Sequence, residues 1–206
     1  MLRIWGRISS INVRKVVWTV QELGLTHQRT DAGGQFGIVM TPQYLALNPN
    51  ALVPLIEDDG FSLWESNVIV RYFCAKHSAG KLYPDALQQR FDAERWMDWQ
   101  QTTLNPAGRE AFVQLVRRPG GQTDAAKVAE SAAATEHLLA MLDAHLARHR
   151  FMAGDALTMA DIPIACEIHR WWGLPLARPA YPHLERWYAQ MLARPASRGV
   201  LDISLS

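Results

Sequence analysis

The stretch that decides the fold is Asn48-Pro49-Asn50-Ala51-Leu52-Val53-Pro54, which ends in a Val-Pro bond just before the short apolar run Leu55-Ile56. Proline cannot donate a hydrogen bond to a sheet, so Pro54 predicts the first residue of a strand or its edge. We predict that this bond is cis, because a cis X-Pro bond costs only about 0.5–1 kcal/mol and turns the chain sharply. The N–H and C=O of Val53 would then face outward, where an extended peptide can pair with them as a strand would.

Further along the chain, Glu65 and Ser66 precede the apolar helical segment Asn67–Phe73. The free N–H groups of a helix start, together with the positive end of its dipole, favour a bound carboxylate. One segment of the chain therefore combines a backbone clamp with an anion site. That combination suits a small, acidic, extended peptide.

The first third of the chain alternates between strand and helix patterns. Strands are predicted at Arg3–Gly6 and His27–Thr30, with a helix between them in which valines recur at helical spacing. A short helix is predicted over Thr41–Leu47, and the turn Asp59-Gly60 between two apolar runs predicts a hairpin. The order βαβ, α, ββ, α is that of a thioredoxin-like α/β domain, which we assign to residues 1–78.

The pattern changes at a linker over His77–Leu87, and no strand is predicted beyond it. We therefore predict an all-helical, all-α C-terminal domain over residues 88–206. Its helices are predicted from Arg90 to about Val116 (ended by Arg118-Pro119-Gly120-Gly121), from Asp124 to about His149, after the capping box Thr158-Met159-Ala160-Asp161, and from Pro182 to Arg194. We interpret the capping box as structural.

Composition excludes several classes of partner. The formal net charge is +1, with 21 basic and 20 acidic side chains spread evenly, so nucleic acid and anionic membranes are poor partners. No apolar run approaches the length of a membrane span, and the segment Met1–Arg7 has no signal-peptide core. We expect a cytoplasmic protein.

The cysteine and histidine patterns indicate neither a disulfide nor a metal site. Cys74 and Cys166 lie in helical apolar patterns without a CxxC partner, so we interpret both as core residues. His145 and His149 have i, i+4 spacing, but the zincin motif would need Glu where Leu146 stands, and no third ligand is evident. We predict no metal site.

Three stretches together resemble the glutathione-binding domain of the glutathione transferases, in their bacterial, theta-like branch. They are Ala32–Gly37, the stretch 48–54 that includes Val53 and Pro54, and Leu63-Trp64-Glu65-Ser66-Asn67. The resemblance continues to the C-terminus and covers nearly the whole chain. It implies glutathione as co-substrate, a small-molecule electrophile as second substrate, a role in detoxification, and a homodimer that places the first domain of one subunit against the helical domain of the other.

The segment Ser9-Ser10-Ile11-Asn12 joins the first strand to the first helix. One serine could simply be the N-cap; alternatively, its hydroxyl donates to a bound thiolate and lowers the pKa of that thiol. A fall of about 2 units from about 8.5 requires only about 2.7 kcal/mol. The resemblance to the theta-like pattern assigns this role to Ser10, with Asn12 as a possible second donor, whereas a zeta-like pattern would assign it to Ser9. We favour Ser10.

Leu52 departs from the resembling family. The residue before the valine is often Lys, Gln, Arg or His there and contacts the glycine carboxylate of glutathione. Leu52 offers no polar side chain, so Asn50 or Gln35 could take this role. Weaker affinity for glutathione, or a modified or bulkier thiol ligand, is the alternative.

The sequence thus predicts a glutathione transferase that activates the glutathione thiol for attack on a partly apolar electrophile. One or two of four side chains on the long helix should line an apolar pocket for that electrophile: Trp96, Trp99, Leu104 and Phe112. Two alternatives stay open. One is a non-catalytic glutathione-binding or scaffold module, and the other is a glutathione-dependent disulfide or peroxide reductase.

Overall fold

The computed structural model describes residues 1–118, 121 and 123–205 of the 206-residue chain. In the first domain, four strands form a mixed sheet in the order β2-β1-β3-β4. Strand β1 runs parallel to β2 and antiparallel to β3, and β3 pairs antiparallel with β4. The predicted thioredoxin-like order is confirmed. The strands are β1 (Leu2–Trp5), β2 (His27–Thr30), β3 (Leu55–Asp58) and β4 (Phe61–Trp64).

The helices of this domain begin and end where local sequence signals place them. They are α1 (Ile11–Glu22), α2 (Pro42–Leu47) and α3 (Ser66–His77). The Thr41 side chain caps α2 by accepting a hydrogen bond from the N–H of Tyr44. Gly24 ends α1 with φ +65°, and its N–H donates to Gln21 while the next N–H donates to Val20, as in a Schellman motif.

The hairpin between β3 and β4 also follows its sequence signal. Asp59 and Gly60 both have positive φ, +49° and +90°, which a two-residue hairpin turn of the primed kind requires. Asp58 pairs with Phe61 across the turn. The predicted hairpin is confirmed.

The second domain is helical in the part of the chain that the structure describes. Its helices are α4 (Leu87–Trp99), α5 (Asn105–Phe112), α6 (Ala125–Leu146), α7 (Asp161–Trp172) and α8 (Pro182–Leu192). The all-α prediction is confirmed. A short 3₁₀ turn at Pro195–Ser197, which the sequence did not predict, follows α8.

The long helix differs in detail from its prediction. It starts at Leu87, earlier than predicted, and continues to Arg117 through two π-helical segments, Gln100–Leu104 and Val113–Arg117. Pro106 lies at the start of α5 and has no N–H to donate, which accounts for the wider hydrogen-bond pattern just before it. Of the predicted helix end, residues 119 and 120 lie outside the described residues.

The capping box is structural, as predicted. Asp161 is fully buried; its Oδ2 accepts from the N–H of Thr158 (2.9 Å), and its Oδ1 accepts from Met152 N (3.0 Å) and Trp187 Nε1 (2.9 Å). The Asp161 carboxylate therefore links the start of α7 both to α8 and to the loop that precedes α7.

Helix α1 is held between the two domains, with residues 13–20 all buried. The guanidinium of Arg14 donates to the carbonyls of Ile8, Val200 and Ser204. At the other end of α1, Glu22 forms an ion pair with Arg194. The second domain thereby fixes the helix whose first turn carries Ser10 and Asn12.

Lys15 is fully buried on this helix, with its Nζ 3.0 Å from Gln101 Oε1. Burial lowers the pKa of Lys15 to about 8, against an opposing effect of the Glu167 charge. Between pH 8 and pH 10 the unfolded chain therefore binds more protons than the folded one, and the free energy of unfolding should rise with pH.

We predict that Lys15→Met removes this rise, lowering the slope by about 1 kcal/mol per pH unit between pH 8 and pH 10. Urea unfolding of both proteins at pH 7, 8, 9 and 10 measures it, with the exposed Lys81→Met as control. Equal slopes for the wild type and Lys15→Met would contradict the assignment.

Candidate functional site

Two cavities meet at the first turn of α1. The larger, about 350 Å³, lies between the domains, and the smaller, about 50 Å³, lies within the first domain. Asn12 lines both. Ser9 and Ser10 line the larger cavity, while the smaller one is lined by Asn48, Asn50, Leu52, Val53, Pro54, Trp64, Glu65 and Ser66. The structure thus gathers most of the predicted site residues around one helix end.

The Val53-Pro54 bond is cis, as predicted. Among the residues that the structure describes, none pairs with the backbone N–H or C=O of Val53. The preceding carbonyl, that of Leu52, is held by the Tyr44 hydroxyl (2.6 Å) and by Asn48 Nδ2 (2.8 Å). Val53 therefore presents unpaired backbone groups just before β3, beside a loop that the protein itself fixes.

Asn48 organises this loop, and the sequence reasoning did not single it out. Its side chain is buried, and its Oδ1 accepts from both the backbone N–H and the Nδ2 of Asn50 (3.1 Å each). The signal was present, because the Asn-Pro-Asn run has the side chains that bond to backbone two residues on.

A glycine lets the end of β1 approach the clamp. Gly6 has φ +150°, and a Cβ there would stand 2.4 Å from Val13 Cγ2 and 3.2 Å from Val53 Cβ. A larger residue would push α1 and the clamp apart. The sequence places Gly6 only at the end of a predicted strand, because its close contacts depend on the tertiary fold.

Glu65 and Ser66 lie where the first turn of α3 begins. Glu65 has φ +73°, a sparsely populated region for a residue with a side chain, and such strain concentrates at functional sites. Ser66 is buried, and its hydroxyl donates to Asn12 Oδ1 (3.2 Å). The first turns of α1 and α3 are therefore joined by side chains from the two predicted halves of the site.

Ser10 is the N-cap residue of α1, with extended φ −82° and ψ 124°. Its carbonyl accepts from the N–H groups of Val13 and Arg14, but its side chain caps no helix N–H within the described residues. Ser9 lies on the same wall, and its carbonyl accepts from Arg117 Nη2 (3.1 Å). The interpretation of the Ser10 hydroxyl as a simple N-cap is not supported.

The fold places the two candidate substitutes for a polar side chain at position 52, Asn50 and Gln35, in different surroundings. Leu52 is exposed and lines the smaller cavity together with Asn50. Gln35 is exposed on the 3₁₀ turn Gly34–Phe36 and lines neither cavity. Only Asn50 is therefore placed beside the clamp.

The two cysteines are buried, in agreement with the core interpretation. Burial raises the pKa of each thiol, Cys74 and Cys166, to about 12, so both are protonated at neutral pH. His145 contacts the carbonyl of Met152 through Nε2 (3.0 Å). Over the described residues, the structure shows no cluster of three or more side chains suited to hold a metal ion.

The sequence reasoning missed the charge of the larger cavity. Of the four residues predicted for an apolar pocket only Phe112 lines it, since Trp96 and Leu104 are buried in the core and Trp99 packs against it. The described lining contains no Asp or Glu side chain, and it includes five arginines: Arg7, Arg14, Arg109, Arg117 and Arg170. They come from three separate segments, so no local sequence run announces them.

None of the helices in the described ranges is both long and apolar enough to span a bilayer.

Comparisons with known proteins agree with this geometry. Residues 9–76 match the family model "Glutathione S-transferase, N-terminal domain", and residues 101–195 match "Glutathione S-transferase, C-terminal domain". The chain is 42% identical to glutathione S-transferase GstB of Escherichia coli K12, an alignment that covers 100% of both chains. It is 40% identical to a theta class glutathione S-transferase of Xanthomonas axonopodis pv. citri, solved with glutathione bound. That structure superimposes with a TM-score of 0.95 over 100% of this chain and 99% of the other.

One more distant relative is named as an elongation factor. Rice elongation factor 1-gamma 1 is 30% identical over 151 residues, which cover 70% of this chain and 35% of that protein.

Proposed function

The chain belongs to the glutathione transferase family, with glutathione as its co-substrate, and we propose that it activates the glutathione thiol for attack on an electrophile where the two cavities meet. The observation that carries the proposal is the position of Asn12, which lines both cavities. A tripeptide that lies across the opening of the smaller cavity then has its thiol at the wall of the larger one.

We assign the central backbone of glutathione to Val53. The support is the unpaired N–H and C=O of this residue within the described part of the chain, at a cis bond where the next strand begins. Pairing of an extended peptide with such an edge supplies affinity through main-chain hydrogen bonds. Pro54 starts the turn into β3, and because it has no N–H it cannot take part in the same pairing.

The two ends of the tripeptide have separate partners in this proposal. Ser66 and the first N–H groups of α3 bind the γ-glutamyl carboxylate, and Glu65 binds the ammonium group. Asn50 binds the glycine carboxylate, with Leu52 packing beside it. The support is that these side chains line the smaller cavity together.

Ser10 donates to the thiolate, with Asn12 as a second donor. The support is an N-cap hydroxyl on the wall of the larger cavity that does not cap its own helix within the described residues. The positive end of the α1 dipole favours the same anion. The thiol proton leaves to solvent, and the thiolate sulfur then forms a bond to the electrophilic carbon while the leaving group departs with its electron pair.

Ser10→Ala tests this assignment. We predict that it raises the pKa of the bound thiol and lowers turnover by about 10²-fold, the scale for one preorganised donor, while glutathione affinity changes less. Titration of thiolate absorbance in the glutathione complexes of Ser10→Ala, Ser9→Ala and Asn12→Ala separates the candidates. A normal pKa and rate in Ser10→Ala, with a loss in Ser9→Ala, would move the role to Ser9.

A panel of candidate substrates distinguishes the transferase from the two alternative functions. A panel of electrophiles, peroxides and mixed disulfides is offered with glutathione to the wild type. Conjugation of an electrophile is the expected result. Glutathione capture without turnover of any of them would indicate a binding module, and turnover of peroxides or disulfides alone would indicate a reductase.

Ser66→Ala tests the γ-glutamyl site. We predict at least a tenfold loss of glutathione affinity, since charge-assisted hydrogen bonds are worth about 1.5–3 kcal/mol. The Ser66 hydroxyl has a single proton, which it donates to Asn12 in this structure and would turn to the carboxylate when glutathione binds. Calorimetric affinity is therefore measured together with the free energy of unfolding. A weaker fold with unchanged glutathione affinity would show that the serine is structural only.

We also propose that the protein is a homodimer. Exposed apolar side chains lie on β4 and α3 (Phe61, Trp64 and Val68) and on α4 (Leu87 and Phe91), so both domains offer a surface for an isologous contact. We predict a dimer at micromolar concentration that dissociates in Phe91→Lys but not in Leu192→Lys, another exposed apolar position. Sedimentation showing a wild-type monomer would reject it.

A further inference from the structure

We propose that the larger cavity binds an electrophile that carries a negative charge, a carboxylate or a group of similar shape, recognised by Arg109 and Arg117. This inference rests on the proposed function and names its class of second substrate. It adds a negative charge to the partly apolar electrophile that the sequence predicts.

The charges around the cavity are unevenly paired. Arg170 is buried in an ion pair with Glu167, and the guanidinium of Arg14 is occupied by three backbone carbonyls. Arg7, Arg109 and Arg117 form no ion pair with any residue that the structure describes. Three positive charges therefore face a cavity whose described lining holds no carboxylate.

Arg117 lies close enough to Arg7 and Arg170 for their positive charges to affect it. The pKa of Arg117 is lowered, first by burial and then by the positive charges of Arg7 and Arg170. An anion entering the cavity would relieve this repulsion, and guanidinium groups suit carboxylates because they can donate two parallel hydrogen bonds.

The positions of Arg109 and Arg117 give the cavity a defined charged face. Arg109, Phe112, Val113 and Arg117 all line it, at the i, i+3, i+4 and i+8 spacing of one side of a helix. The guanidinium groups of Arg117 and Arg170 each lie 5.2 Å from the centre of the Phe112 ring. Phe112 also lines the cavity, so an aromatic electrophile can contact an apolar side chain there while its charged end meets the arginines.

Glutathione brings two carboxylates of its own, but their proposed partners lie in the smaller cavity. Arg7 lies beside the clamp, because a Cβ on Gly33 would stand 2.8 Å from Arg7 Nη1 and 3.4 Å from Val53 Cγ1. Arg109 and Arg117 line only the larger cavity. The test therefore uses these two and leaves Arg7 intact.

A matched pair of electrophiles separates charge from shape: 4-chloro-3,5-dinitrobenzoate and 4-chloro-3,5-dinitrobenzamide. In both, the glutathione sulfur bonds to the chlorine-bearing carbon, chloride leaves with the bonding pair, and the thiol proton goes to the buffer. The kcat/KM ratio of benzoate to amide, each corrected for its uncatalysed rate, is measured in the wild type, Arg109→Gln, Arg117→Gln and the double variant. Arg118→Gln, a neighbouring exposed arginine that does not line the cavity, is the control.

We expect the ratio to fall about tenfold for each cavity arginine and to stay at the wild-type value in Arg118→Gln. High salt should lower the ratio in the wild type. An unchanged ratio in the double variant overturns the inference. So does an equal rise of the KM for glutathione with both electrophiles, because the arginines would then serve glutathione.

A binding measurement keeps this inference separate from the proposed function. Calorimetry compares 3,5-dinitrobenzoate with 3,5-dinitrobenzamide, which have no leaving group. Tighter binding of the benzoate that is lost in the double variant supports the anionic site even if neither chloro compound is turned over, a result that would count against the proposed function alone. Equal binding of the two compounds to the wild type overturns the inference.

Discussion

The hydrogen bond from the Ser66 hydroxyl to Asn12 Oδ1 joins the first turns of α1 and α3, and the rest of the site is arranged around it. Each turn brings free N–H groups and the positive end of a helix dipole, which favour an anion. The backbone N–H groups at both helix starts still need partners, which an anion can provide. The side-chain bond links the two helix starts to each other. The second domain holds α1 in place through Arg14, Lys15 and Glu22.

Much of the first domain could be predicted because its signals are local. Thr41-Pro42 and Asp59-Gly60 each specify a backbone conformation that few other residues adopt as easily, and both occur where expected. The cis bond before Pro54 belongs to the same class of signal. Three site residues lie near these signals in the sequence and line one cavity in the structure: Val53, Glu65 and Ser66.

The features that were missed depend on contacts between distant segments. The cationic lining of the larger cavity combines Arg7 after β1, Arg109 and Arg117 on the long helix, and Arg170 on α7. An even distribution of charge along the sequence gave no hint that these side chains converge. The π-helical segment before Pro106 was missed because helical periodicity does not distinguish a π turn from an α turn. Gln35 was predicted as one of two polar side chains that could replace the one missing at Leu52, yet the 3₁₀ turn leaves it outside both cavities.

The most direct test of the central claim is a crystal structure of the protein with glutathione. The account predicts a tripeptide across the opening of the smaller cavity, paired with the backbone of Val53, whose sulfur lies within about 3.5 Å of Ser10 Oγ at the junction with the larger cavity. A tripeptide bound elsewhere, or a sulfur that points away from the first turn of α1, would contradict it.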